Sequence, residues 1–146
     1  MPKITETATI GLDTETLWNE IGGFGSVGEW HPMVSSMDVV GEGTGAMRIA
    51  RGNAGEDQAE RLQTLDSERH LYRYTLERGS IPVRDYRGEF RIEAADASTS
   101  VVIWSAQFEL AEDGDGRTVE SVRRFLRAGT ENLRRRFGET VCRQRN

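Results

Sequence analysis

The sequence predicts an α+β fold: a curved antiparallel sheet of about seven strands wrapped around one long C-terminal helix, with two short helices after the first strand. Three observations predict it. From about Thr118 to Arg136 the apolar residues Val119, Val122, Phe125, Leu126, Gly129, Leu133 and Phe137 recur at three- and four-residue steps, which aligns them as one stripe on a helix. Between Val34 and Leu110 the chain is instead a succession of period-two segments separated by polar turns, the pattern of strands. Their apolar members share one parity, so one face of the sheet is aromatic and the other wet.

Taken in order, Ile4 to Ile10 alternates with three threonines and reads as a half-buried strand. Asp13 is a plausible N-cap for a short helix that offers Leu17, Trp18 and Ile21 at helical spacing, until Gly22-Gly23 stops it. A second helical piece spans Phe24 to Glu29 and ends before Pro32, which disfavours a helical conformation at His31. Strands follow over Val34 to Val40, Ala46 to Arg51, Glu60 to Leu65, His70 to Glu77, Tyr86 to Ala94 and Val101 to Leu110. The glycine-rich turn 41–45 sits between two strands. It is therefore a hairpin and not a phosphate-binding loop, which would open a helix.

Tyr72, Tyr74 and Leu76 oppose Arg73, Thr75 and Glu77, while Tyr86, Phe90 and Ile92 oppose Arg87, Glu89 and Arg91. Val102, Trp104, Ala106 and Phe108 oppose Ser105, Gln107 and Glu109. The last helix carries Glu120, Arg123, Arg124, Arg127, Glu131, Arg134 and Arg135 on its far side, so it buries a single face. It would span roughly 28 Å. Gly129 lies in its apolar stripe, where a glycine is about 1 kcal/mol worse than alanine. Something must approach closely there: either a packed strand or a ligand.

At 146 residues the chain is read as one domain with a short polar tail from about 139, large enough to bury a core without staples. No apolar run approaches the roughly 18 residues that cross a membrane, and the N-terminus lacks a secretory layout, so the expected location is the cytoplasm. The single cysteine, Cys142, forms no internal disulfide. A formal charge of −5 argues against nucleic acid as a partner. Two histidines far apart and one distant cysteine make no zinc site, and no Walker loop or nucleophile elbow occurs. No metal and no cofactor is expected, and the oligomeric state, monomer or homodimer, is left open.

A twisted sheet over one helix leaves space that the helix does not fill. Trp30, Met33, Met47, Tyr72, Tyr74, Tyr86, Phe90, Trp104 and Phe108 are expected to line it, rich in side chains whose polar ends need partners. Leu62 joins them from the sheet, and Val122, Phe125, Leu126 and Gly129 from the helix. Glu60 shares parity with Leu62 and is expected to point inward, as an acid, a base or a polar anchor, or to pair with Arg51 or Arg61. His31 is a candidate for proton transfer or for a loop hydrogen bond.

Several stretches carry a resemblance: Phe24-Gly25 with Trp30-His31-Pro32, Glu60-Arg61-Leu62 with Asp66 and His70, Ser80-Ile81-Pro82-Val83 with Asp85-Tyr86, and Val102-Ile103-Trp104 with Phe108. Together they cover nearly the whole chain and resemble the START/Bet v 1-like (SRPBCC) superfamily, in particular polyketide cyclase/dehydrase-like proteins. That resemblance implies a helix-grip fold and a cavity for a small hydrophobic or aromatic ligand, with Ile81 in a loop at its mouth. Three functions are then expected: hydrophobic-ligand binding or lipid transport, from the one-faced aromatic strands and Gly129; a cofactor-independent cyclase or dehydratase using Glu60, His31 and a tyrosine; and a protein-interaction module using the basic outer face of the last helix, Arg124, Arg127 and Arg135. Glu60 to His70 also resembles plant abscisic-acid receptors, but loop 52–57 lacks their Ser-Gly-Leu-Pro gate.

Overall fold

The computed structural model describes residues 1–53 and 55–138; the expected polar tail and Cys142 lie outside the described residues. Strand β1 (Lys3–Ile10) leads into helices α1 (Thr14–Ile21) and α2 (Val27–Trp30). A meander follows: β2 (Val34–Val40), β3 (Met47–Gly52), β4 (Asp57–Asp66), β5 (Leu71–Arg78), β6 (Val83–Asp96) and β7 (Thr99–Leu110). Helix α3 (Gly116–Leu133) closes the fold and runs on into one wider turn, Arg134–Gly138. All neighbouring strands are antiparallel in the order β1-β7-β6-β5-β4-β3-β2. Because β1 pairs with β7 at one edge while β2 forms the other, α1 and α2 carry the chain across the sheet's width.

Local chemistry sets the helix ends. The Asp13 carboxylate accepts from the Thr16 amide at 2.8 Å, and those bonds hold its pKa below the usual value. At α3, Asp115 accepts from the Arg117 amide at 2.9 Å while its own amide donates to the Thr118 hydroxyl at 3.3 Å, a reciprocal cap. The helix therefore starts two residues before the expected Thr118. Helix α2 is shorter than expected, because Phe24 leaves the helical path to enter the core and Gly25 and Gly28 press against Val39 and Met37 of β2.

Strands β4, β6 and β7 run longer than their alternation suggests. In β6 the pairing jumps from Arg84–Glu109 to Arg87–Gln107, a bulge with Asp85 at φ 51°. The extra residue lets Val83 and Tyr86 both face inward although their parity differs. In β4 the polar residues Asp57 and Gln58 extend the pairing with β3.

Trp104 is the centre of the core, ringed by Trp30, Phe90, His31 and Phe125 at centroid distances of 5.6–5.8 Å. Tyr74 lies over Gly88, directly opposite it in the sheet; a Cβ at Gly88 would collide with the Cζ and hydroxyl end of the tyrosine ring. The indole N–H of Trp104 donates to the Tyr74 hydroxyl at 2.9 Å. Helix α3 packs over β1 and β7, so the inner face of β3 to β5 is covered by other means.

Candidate functional site

That face is covered on one side by aromatics and left open on the other. The opening is a cavity of about 180 Å³. Its apolar wall comprises Val34, Ala50, Leu76, Ile81, Val122 and Phe125, and Glu60 and Tyr86 add the inner polar groups. Exposed Arg51, Glu56, Ser80 and Ser121 belong to the same lining and mark its mouth, together with Met33, which is also partly exposed.

Glu60 owes its inward position to strand alternation and to Arg48, its direct partner across the β3–β4 pairing. The Arg48 Nε–H donates to Glu60 Oε1 at 2.7 Å, with the arginine side chain 2% and the glutamate 12% exposed. One Nη1 of Arg48 reaches the Phe24 carbonyl at 2.8 Å and the Tyr72 hydroxyl at 3.1 Å. The guanidinium also lies 4.3 Å from the Phe24 ring centroid and 4.5 Å from that of Tyr74, a doubly stacked cation. Burial by itself would lower the Arg48 pKa, but Tyr72, Glu60 and Tyr74 outweigh it and the net shift is upward. The charge stays on.

Among the described residues, the second Glu60 oxygen has no hydrogen-bond partner, and neither does the Tyr86 hydroxyl; both residues open onto the chamber. Burial, with the Glu60 charge nearby, pushes the Tyr86 pKa up, so the phenol keeps its proton. Tyr72 and Tyr74 are likewise raised by burial, yet their hydroxyls are occupied by Arg48 and Trp104. The site is thus a small apolar chamber holding one carboxylate oxygen and one phenol, both unengaged.

Of the residues expected to line a cavity, Met33, Glu60, Ile81, Tyr86, Val122 and Phe125 come together around it. Trp30, Leu62, Tyr72, Tyr74, Phe90, Trp104, Phe108 and Leu126 do not; they fill the closed side of the interior as packed core. Trp30 is the one whose indole N–H is buried without a partner among the described residues. Met47 is corrected outright. It pairs with Arg61 on the wet face, while its neighbour Arg48 takes the inward position.

Gly129 is corrected too: it makes room for packing and not for a ligand. A Cβ there would lie 2.7 Å from Trp104, 2.8 Å from His31 and 3.0 Å from Trp30. His31 is 3% exposed and stacks on Phe125 with centroids 4.0 Å apart. Its Nε2–H donates to the Phe125 carbonyl at 2.7 Å, and its Nδ1 accepts from the Met33 amide at 3.0 Å. With both nitrogens engaged away from the cavity, His31 pins the start of β2 to α3 and has no free position for proton transfer. Burial lowers its pKa to about 4, so the ring is neutral. The expected Glu60 partners are also replaced: Arg51 pairs with Asp38 at 3.4 Å and Asp57 at 3.5 Å, and Arg61 with Glu77 at 2.8 Å.

Arg48 was missed by reading the sequence, as were Val34, Ala50, Gln58 and Ser121 of the cavity wall. A signal existed for the arginine: Ala46, Arg48 and Ala50 share one parity, and two small neighbours leave space for a long side chain. On the outer face of α3, Arg123, Arg127 and Arg134 pair with Glu120, Glu6 and Glu131 at 3.1–3.3 Å, which neutralises most of the basic face.

A curved antiparallel sheet gripping a C-terminal helix around a chamber defines a cavity-bearing protein of the helix-grip, Bet v 1-like class. The chain belongs to the polyketide cyclase / dehydrase and lipid transport family, whose model matches residues 1–138. XoxI from Bacillus cereus is similar at 25% identity and a TM-score of 0.87, over 94% of this chain and 96% of that one. The Zhui aromatase/cyclase from Streptomyces sp. R1128 shares the fold at a TM-score of 0.80 and 16% identity, over 96% and 95% of the two chains. Norcoclaurine synthase from Thalictrum flavum, solved with dopamine and hydroxybenzaldehyde, shares it at 0.69 and 13%, over 99% and 88%. No curated protein matches the chain. No helix among the described residues is long and apolar enough to cross a membrane.

Proposed function

We propose that this chain is a cytoplasmic protein that binds a small hydrophobic or aromatic metabolite in the chamber between sheet and α3. The observation that carries the reading is the pairing of an apolar wall with two polar atoms that have no hydrogen-bond partner among the described residues, the second Glu60 oxygen and the Tyr86 hydroxyl. Buried polar groups are normally satisfied, and a pocket with a few convergent polar groups is the usual form of a small-molecule site. An apolar cavity of roughly 150 Å³ accommodates benzene, so about 180 Å³ suits one ring with a short substituent.

Native mass spectrometry of the protein isolated from its own host tests this: a stoichiometric small molecule is expected. Val122→Trp fills the chamber from α3 and is expected to abolish its retention. Retention unchanged in Val122→Trp overturns the location.

A second reading, a cyclase or dehydratase, is favoured by one feature: a carboxylate oxygen and a protonated phenol line the same chamber, the parts of an acid–base pair. Conversion of the bound molecule, lost in both Glu60→Gln and Tyr86→Phe, supports it; conversion surviving both refutes it.

A further inference from the structure

The chamber is electrostatically one-sided. Its inner acidic group is Glu60, and the cation paired with its Oε1, Arg48, lies behind it and is held by the Phe24 carbonyl, the Tyr72 hydroxyl and the rings of Phe24 and Tyr74. Arg48 is not part of the lining. At the mouth the only cation among the lining residues is Arg51, which is turned to Asp38 and Asp57, whereas Glu56 has no ion-pair partner among the described residues. A ligand therefore meets carboxylate oxygens at both ends of the chamber and no unengaged positive group. The neutral polar groups of the wall, the Tyr86 hydroxyl and the Gln58 amide, can each donate or accept.

From this arrangement we propose that the ligand is a small amine, one apolar ring bearing a protonated nitrogen that donates to the free Glu60 oxygen, with Tyr86 beside it as a second contact. The inference rests on the cavity reading above and narrows its chemical class. A carboxylate ligand of the same shape is disfavoured twice. It would face Glu60 with like charge, and the site holds no cation to replace its hydration. A neutral alcohol falls between, since its hydroxyl donates to Glu60 without the charge-assisted gain of an ammonium. The ring occupies the wall formed by Val34, Leu76, Val122 and Phe125.

The test uses three probes of one shape, benzylamine, benzyl alcohol and benzoate, titrated against the full chain by two-dimensional amide NMR. Benzylamine is expected to bind at least about tenfold tighter than benzoate, with benzyl alcohol between them. Glu60→Gln keeps the shape and removes the charge, and is expected to bring benzylamine down to the level of benzyl alcohol. Because that variant also deprives Arg48 of its partner, a second readout uses the wild-type chain: contacts between the benzylamine methylene and the Tyr86 ring by intermolecular Overhauser effects. Equal binding of all three probes, abolished together by Val122→Trp, leaves the cavity standing and overturns the amine proposal. Benzoate binding as tightly as benzylamine, or Overhauser contacts placing the amine at Glu56 and Ser80 instead of Tyr86, also overturns it. If none of the three binds, both readings fall.

Discussion

Replacing Arg48 with methionine isolates the ion pair on which the site depends. Methionine fills much of the same volume and keeps contact with Phe24, Tyr72 and Tyr74, so the lost quantity is mainly electrostatic. It leaves Glu60, whose side chain is 12% exposed, with a charge and no counter-ion, and it releases the Phe24 carbonyl and the Tyr72 hydroxyl from their donors. Breaking a buried pair from one side costs about 3–5 kcal/mol; Glu60 is not fully buried and opens onto the chamber, which selects the lower end, about 3 kcal/mol. The double variant Arg48→Met/Glu60→Leu removes both charges and is expected to lie within about 1 kcal/mol of wild type, because apolar replacement of a whole buried pair is often neutral. Urea unfolding of the four members of the cycle gives the coupling directly. A single Arg48→Met that loses less than about 1 kcal/mol, or a double variant as unstable as the sum of the singles, refutes the account.

His31 is held neutral with a folded pKa of about 4 against an ordinary 6.5. The unfolded chain then binds this proton more tightly, so its contribution is complete above about pH 6.5 and is lost toward pH 4, about 3 kcal/mol in all. The urea midpoint of wild type is expected to fall over that window more steeply than that of His31→Gln; parallel profiles would contradict it. Gly129→Ala gains helix propensity of about 1 kcal/mol but drives a methyl against Trp104, His31 and Trp30 at 2.7–3.0 Å, and a net loss of about 1–3 kcal/mol is expected on thermal unfolding. Asp115→Ala removes the acceptor at the start of α3 and is expected to lower stability by about 1 kcal/mol, measured by the same urea titration.

Facing direction was legible in the sequence wherever the alternation was regular. Tyr72 and Tyr74, Phe90 and Ile92, and Val102, Trp104, Ala106 and Phe108 are buried as their parity requires, and Asp13 caps α1 as its position suggests. Volume was not legible. Period-two alternation says which side chains meet but not how closely, and it was Gly88 and Gly129 that let Tyr74, Trp104 and Trp30 close up and fill half of the expected cavity. The bulge at Asp85 was hidden for a related reason: an added residue reverses the parity before it, so Val83 and Tyr86 do not look like members of one strand. Arg48 escaped because a charged residue in a strand is ordinarily assigned to water; it is Glu60, directly opposite it on β4, that makes an inward arginine stable.

The same ion pair explains why a cavity persists beside so tightly packed an aromatic core. If a larger apolar side chain at Ala50 or Val122 filled the chamber, the free Glu60 oxygen and the Tyr86 hydroxyl would lose their access to water and remain without partners, a penalty of roughly 1–3 kcal/mol for each. That offsets most of the gain from burying a few more methylenes at about 0.8 kcal/mol apiece. The chamber and the carboxylate therefore sustain each other: Arg48 holds one Glu60 oxygen, the other opens onto the chamber, and that open polar atom disfavours filling the space with apolar side chains. It follows that Arg48→Met/Glu60→Leu should yield a protein that is folded and as stable as wild type but indifferent between benzylamine and benzyl alcohol. Stability and discrimination, coupled in every single variant, would then be separated in one molecule.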